Sequence, residues 1–244
     1  MSVEALVLHE QRIEGPRLVA ARLPLELSDV HKAWGHKRRR EHPVLRGVDL
    51  TLEPGDFVWI GGRNGAGKTT LLRVASGLIG AEKGHVLAYG LDPGRDRREF
   101  QRRVAFLSAG NQGLYARLTV RIQVDTWARI NFVDRRTRRA AVDRALEQFE
   151  LIELADARCD RISMGQRQRV RLAMTFVSDP DVVLFDEPGT SLDDRGHTLL
   201  RAAIERLVRR GGTVLWVSPA GDESQAQGDC TGRYLLEGGK LEGL

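Results

Sequence analysis

Only two cysteines occur in 244 residues, Cys159 and Cys230, in unrelated contexts. Two make neither a disulfide framework nor a metal cluster, so a reducing compartment is the default expectation. Long apolar runs are absent as well. No stretch reaches the roughly 18 residues that a membrane-crossing helix needs, so any membrane association is expected to come through a partner. Residues Met1 to Gly15 lack the basic-then-apolar order of a secretory leader. No sign of charge dominates: lysine and arginine total 38 against 33 acidic residues, a net +5. A positive field of that size suits nucleotides, nucleic acid or an anionic membrane surface without selecting among them. Internal repeats and low-complexity tracts are missing too. What remains is ordinary globular usage, 41% apolar and 29% charged, which excludes a wholly disordered chain. The length suits one or two domains.

Along the chain, short strands alternate with helices. Leu25 to Val30 alternates apolar and polar residues, as a half-buried strand does. The basic run Lys37 to Arg40, followed by Pro43, reads as an exposed turn, either a solvated loop tip or a phosphate or lipid contact. Val48, Leu50 and Leu52 alternate with Asp49, Thr51 and Glu53, and Pro54-Gly55 makes a turn. Phe57 to Ile60 is a continuous apolar run, the pattern of a parallel strand buried on both faces. Helical spacing is expected from Thr69 to Ile79, with Leu71, Leu72, Ala75 and Leu78 on one side, and Gly84 to Gly90 reads as a strand. From Thr119 to Met164 the pattern is helical, with Ala141, Ala145, Leu146 and Phe149 in one apolar stripe. A further helix is expected to Val177, a buried strand at Val182 to Phe185, a helix at Asp194 to Arg210, a buried strand at Thr213 to Ser218, and a closing hairpin from Arg233. This is α/β layering with a helical insert.

Gly62-Arg63-Asn64-Gly65-Ala66-Gly67-Lys68-Thr69, followed by Thr70, matches G-x-x-x-x-G-K-[ST] between a buried strand and a helix. Glycines there let successive N–H groups face an anion, and the helix N-terminus adds partial positive charge. Lys68 can reach the β- and γ-phosphates, and Thr69 can offer its hydroxyl to Mg²⁺. Asp186 and Glu187 emerge where ligands of open α/β sheets sit, at the C-terminal end of a strand. Asp186 suits the Mg²⁺ shell and Glu187 the attacking water. Alone, such a pair is more often a helix cap.

Ile162-Ser163-Met164-Gly165-Gln166-Arg167-Gln168-Arg169 resembles the signature of ATP-binding-cassette (ABC) transporter subunits, usually L-S-G-G-Q followed by Q/R-Q-R. The resemblance covers residue 25 onward. It implies a P-loop NTPase core, a mixed or parallel sheet with helices on both faces, plus an antiparallel β edge and an inserted helical subdomain. Residues 1–24 become an extension, 25–112 and 166–244 the ATPase core, and 113–165 the helical part that docks on a transmembrane permease. It further implies that Ser163, Gly165 and Gln166 contact ATP held by a second ATPase subunit, a homo- or heterodimer partner. Ser163 is equally a plain N-cap. Asp193, in Ser191-Leu192-Asp193, resembles the loop that communicates across that dimer. Trp34 stands where the family stacks an aromatic on adenine, although a lone aromatic is more often core. The protein is expected at the cytoplasmic face of a membrane, hydrolysing Mg·ATP to drive transport, with export favoured by Leu114 to Arg121 (LYARLTVR).

Two positions depart from the family. Where a glutamine usually senses Mg²⁺ and the permease, Ala109 is the direct counterpart, with Gln112 nearby as a substitute. Where a histidine usually reaches the γ-phosphate, Pro219 has no side-chain donor, and Ser218 offers only a short one. Own-site turnover is therefore expected to be slow. A soluble ABC ATPase acting on nucleic acid would bring tandem cassettes or long coiled-coil insertions, so no nucleic-acid partner is expected. Arg135 to Arg139 reads as a solvated helix start. A regulatory ATP-binding module without transport coupling stays open.

Overall fold

A computed structural model describes residues 22–35, 42–110, 113–220 and 230–244. Its centre is strand β3 (Phe57–Gly61), buried at every position. Successive side chains of a strand point to opposite faces, and both faces are covered. Phe57 and Trp59 join the helix-side core, together with Val183, Phe185, Val214 and Trp216. Val58 and Ile60 join a second core with Leu71 and Leu72. That two-sided burial is why the strand reads as unbroken apolar sequence.

Strand β1 (Leu25–Trp34) pairs antiparallel with β2 (His42–Leu52) and β4 (Lys83–Leu87) in a separate three-stranded sheet. Leu25 faces Leu52 and Leu27 faces Leu50, but the register shifts between Leu27 and Val30. Asp29 sits there at φ 47°. This irregularity ends the visible alternation, while the strand itself runs on to Trp34. The basic run Lys37 to Arg40 lies outside the described residues.

Helix α1 (Lys68–Ala75) is shorter than its spacing predicts. Gly77 takes φ 69° and donates to the Val74 carbonyl, and Leu78 N donates to Arg73 O, which closes a Schellman cap. Leu78 therefore lies past the helix and is 59% exposed, contrary to its expected place on the apolar side. Helix α2 (Arg97–Arg103) has no legible period, because Phe100 is its one buried residue. It leads into β5 (Val104–Leu107).

Helices α3 (Val120–Ile130) and α4 (Arg138–Gln148) follow, with two short 3₁₀ turns. Ala141, Ala145, Leu146 and Phe149 are buried as expected. Then come α5 (Met164–Phe176), β6 (Val182–Asp186), α6 (Asp194–Arg209) and β7 (Thr213–Val217). The chain closes with β8 (Gly232–Glu237) and β9 (Lys240–Gly243). The main sheet has the order β5-β6-β7-β3-β8-β9, parallel except for β9. Gly238 and Gly239 turn the hairpin with positive φ, the geometry that matches strand twist. Beyond forming a hairpin, β8 extends the sheet beside β3. A tilted aromatic series, Phe57–Trp216–Phe185–Phe176–Phe149, joins the sheet to the helical layer with ring centroids 5.7–6.2 Å apart.

Candidate nucleotide site

The loop between β3 and α1 carries the glycine-rich motif. Gly67 is the N-cap of α1 at φ 107° and supplies no side-chain cap, which leaves the first N–H groups of the helix for another acceptor. A Cβ on Gly67 would fall 2.6 Å from Val44 Cγ1, and one on Gly62 would fall 2.8 Å from the Leu236 carbonyl. Gly65 takes φ 83° with open space beside it, so its requirement is conformational. Arg63 and Asn64 are exposed, while Ala66, Thr69 and Thr70 are half-buried. Between this loop and the β8–β9 hairpin lies a cavity of about 400 Å³, bordered by Gly62, Asn64, Ala66, Ala220, Leu236 and Glu237.

Lys68 is only 6% exposed. Its ammonium donates to the carbonyls of Gly62 at 2.7 Å and Arg63 at 3.1 Å. Burial lowers its pKa, and the negative charges of Glu187 and Asp186 oppose that shift. The lysine and both carboxylates thus share one electrostatic site, although 118 residues separate Lys68 from Asp186 in the chain (186 − 68).

Asp186 ends β6, and its Oδ2 is buried without a hydrogen-bond partner. An orphaned buried acceptor is costly unless something arrives to use it. Glu187 follows at φ 50°, held by its N–H to the Val217 carbonyl at 3.0 Å. Left-handed backbone at a non-glycine residue costs roughly 1–2 kcal/mol, and such strain clusters where side-chain aim matters. Among the described residues no three acidic, histidine or cysteine side chains group as a metal cage. Mg²⁺ instead suits one hydroxyl and one carboxylate plus substrate phosphates, and Thr69 with the orphaned Asp186 oxygen fits that donor set.

Trp34 is not core. The residue is 44% exposed, its Nε1 donates to Thr70 Oγ1 at 3.3 Å, and the Lys32 ammonium stands 5.5 Å from the ring centroid. Glu82 holds that ammonium at 3.5 Å. The indole is thereby tied to the second residue after the motif lysine.

A second cluster forms around the start of α5. Ser163 and Gln166 make a reciprocal capping box: the Ser163 Oγ accepts from Gln166 N, and the Gln166 Oε1 accepts from Ser163 N. Gly165 packs on Asp193, where a Cβ would come 3.1 Å from Oδ2. Asp193 in turn caps α6, accepting from Gly196 N at 2.7 Å. This cluster meets the Glu187 turn through Gln168, whose Nε2 donates to Pro188 O at 3.1 Å.

Near the end of β7, Ser218 is 3% exposed and its hydroxyl oxygen accepts from Trp59 Nε1 at 2.9 Å. Ala220 N donates to Gly62 O, so the Pro219 segment lies against the phosphate loop. Gln112 lies outside the described residues. Sequence reasoning quoted Gln168 within the signature without assigning it a role and missed Arg171; both are nearly fully buried. Their signal was faint: two polar side chains three residues apart on a helix that is otherwise buried from Val170 to Thr175.

A family model described as ABC transporter matches residues 45–190. The chain is 33% identical over 217 residues to the ABC transporter ATP-binding protein NatA of Bacillus subtilis (strain 168), covering 89% of this chain and 87% of that protein. It is 36% identical to the phosphonates import ATP-binding protein PhnC 1 of Rhodopseudomonas palustris, covering 70% of this chain and 68% of the relative. The cytochrome c biogenesis ATP-binding export protein CcmA of Sphingopyxis alaskensis is 34% identical, with coverage of 74% and 84%. Among solved structures, the dimeric post-hydrolysis state of an ATP-binding cassette bound to ADP and Pi superposes with a TM-score of 0.74 at 25% identity, covering 89% of this chain and 96% of that one.

Proposed function

Because this chain belongs to the ABC transporter family, we propose that it is the ATP-hydrolysing subunit that drives a separate membrane permease. One observation carries the reading: Lys68, Asp186 and Glu187 share one electrostatic site beside a glycine loop built for phosphate. Lys68 would exchange its two loop carbonyls for β- and γ-phosphate oxygens. Thr69 and Asp186 would hold Mg²⁺, which neutralises phosphate charge when bound. Glu187, aimed by its turn, takes the proton of the attacking water or orients it. Trp34 stacks on the adenine. Its remaining exposed area limits the effect, so Trp34→Ala should weaken ATP binding by about 1 kcal/mol, the low end for a stacked base. Equilibrium titration checks this, with triphosphate alone as the control that should not change.

The capping box leaves Ser163 a second role. Its oxygen accepts from Gln166 N, so its own proton is available to the γ-phosphate held by a second ATPase subunit. Gly165, Gln166 and Asp193 belong to that same face. Residues 25–112 and 166–244 form the ATP-binding core, and 113–165 dock on the permease at the cytoplasmic face of the membrane. The named relatives include one import and one export protein. Export is the direction proposed here, on the likeness of Leu114 to Arg121 to exporters with separate permeases.

Turnover at this chain's own site is proposed to be slow. Pro219 brings no donor, and the Ser218 hydroxyl is already engaged by Trp59. Removing a positioned donor from such a site costs on the order of 10²–10³ in rate. Pro219→His should therefore raise steady-state ATPase activity, by about tenfold if only part of the geometry is restored. A wild-type rate that is already fast, and that the substitution leaves unchanged, would falsify slow turnover. The same missing donor favours a second reading, a regulatory ATP-binding module. Affinity purification separates the two, since a transport subunit brings down a polytopic membrane protein and a soluble regulator does not.

A further inference from the structure

Arg171 is 3% exposed and lies on α5, eight residues after Ser163 (171 − 163). Every hydrogen-bond partner it has among the described residues is neutral. Its Nη2 donates to Ser108 O at 2.5 Å and to Ser108 Oγ at 3.2 Å. Its Nη1 donates to the Gly110 carbonyl and to Gln168 Oε1, the latter at 2.9 Å. No carboxylate pairs with it among the described residues, and burial alone pushes its pKa down to about 10. A buried cation without a counter-charge is an expensive choice for a helix that could carry an apolar residue there.

What the cation touches explains its presence. Ser108 and Gly110 flank Ala109, so the guanidinium grips the backbone on both sides of it. Ala109 itself has no polar side-chain group to join this loop to its surroundings. Through Gln168 the same cation reaches Pro188 O, one residue beyond Glu187. A planar fork with five donors can span acceptors on three residues, whereas an ammonium is a point charge.

We propose that Arg171 is a positioning residue for ATP hydrolysis, holding the 108–110 loop and, through Gln168, the turn that carries Glu187 as one unit with the signature helix. This rests on the reading of the chain as an ATPase. Arg171 touches neither substrate nor reacting atoms. It acts through the aim of Glu187, and misplacement on the ångström scale can cost about 10² in rate.

The test uses the full chain with Arg171→Met, Arg171→Lys and Gln168→Met. Steady-state kinetics should show kcat falling by about tenfold or more in Arg171→Met, with KM for Mg·ATP within about twofold. Arg171→Lys should fall between it and wild type. Independently of turnover, hydrogen exchange of the nucleotide-free protein should rise both at 108–110 and at the turn following Asp186. If Arg171→Met does not fold, the other two variants carry the same readouts. Exchange that rises at 108–110 alone overturns the proposal, as does a lower melting temperature with kcat per folded molecule unchanged. Should wild type itself fail to hydrolyse ATP, the proposed function falls, and the exchange comparison alone decides the linkage.

Discussion

Glu187→Gln is expected to lower kcat by roughly 10²–10⁴, the contribution of a positioned acid–base group, while ATP still binds. The substitution keeps shape and length, so the strained φ of 50° and the bond from residue 187 N to Val217 O should survive. What disappears is the charge that would accept a proton from water. The same charge holds the Lys68 pKa up against burial, so its removal lowers that pKa further. Equilibrium binding of radiolabelled ATP and single-turnover hydrolysis separate the two effects. A variant that hydrolyses ATP within threefold of wild type would remove Glu187 from the chemistry.

Lys68→Met should have the converse phenotype, a large loss of nucleotide affinity. Charge-assisted hydrogen bonds contribute about 1.5–3 kcal/mol each, and the loss of those to the β- and γ-phosphates predicts affinity weaker by about 100-fold, at 1.4 kcal/mol per factor of ten. Lys68 is only 6% exposed, so an apolar side chain of similar length fits the site. The desolvation cost of the cation also vanishes, offsetting the two lost loop bonds. The nucleotide-free protein should thus melt near the wild-type temperature. Wild type should gain about 2.7 kcal/mol at ATP levels 100 times Kd, and Lys68→Met should gain little. Equal ATP-induced stabilisation in both proteins would contradict the assignment.

These sites were legible to different degrees, for physical reasons. The phosphate loop is contiguous, and its glycines answer to local sterics, so eight residues announce it. The buried strands at Phe57, Val182 and Thr213 were legible because burial on both faces leaves no polar residue within the run. The full reach of β1 was hidden by the irregularity at Asp29, which breaks a period of two without ending the strand. Helix α1 ended early because a glycine in left-handed conformation outweighs one further leucine in register. Convergence is the least legible property. Nothing near Trp34 announces Thr70, and nothing near Arg171 announces Ser108, because both pairings depend on how the layers stack.

The wall behind Gly62 is the Leu236 carbonyl, 174 residues further along the chain (236 − 62), on a strand that pairs with β3. A contact so distant in sequence forms late, since loop closure must precede it. During refolding, ATP should therefore gain its seat only after β8 has docked, so the appearance of nucleotide affinity becomes a clock for the last stage of assembly.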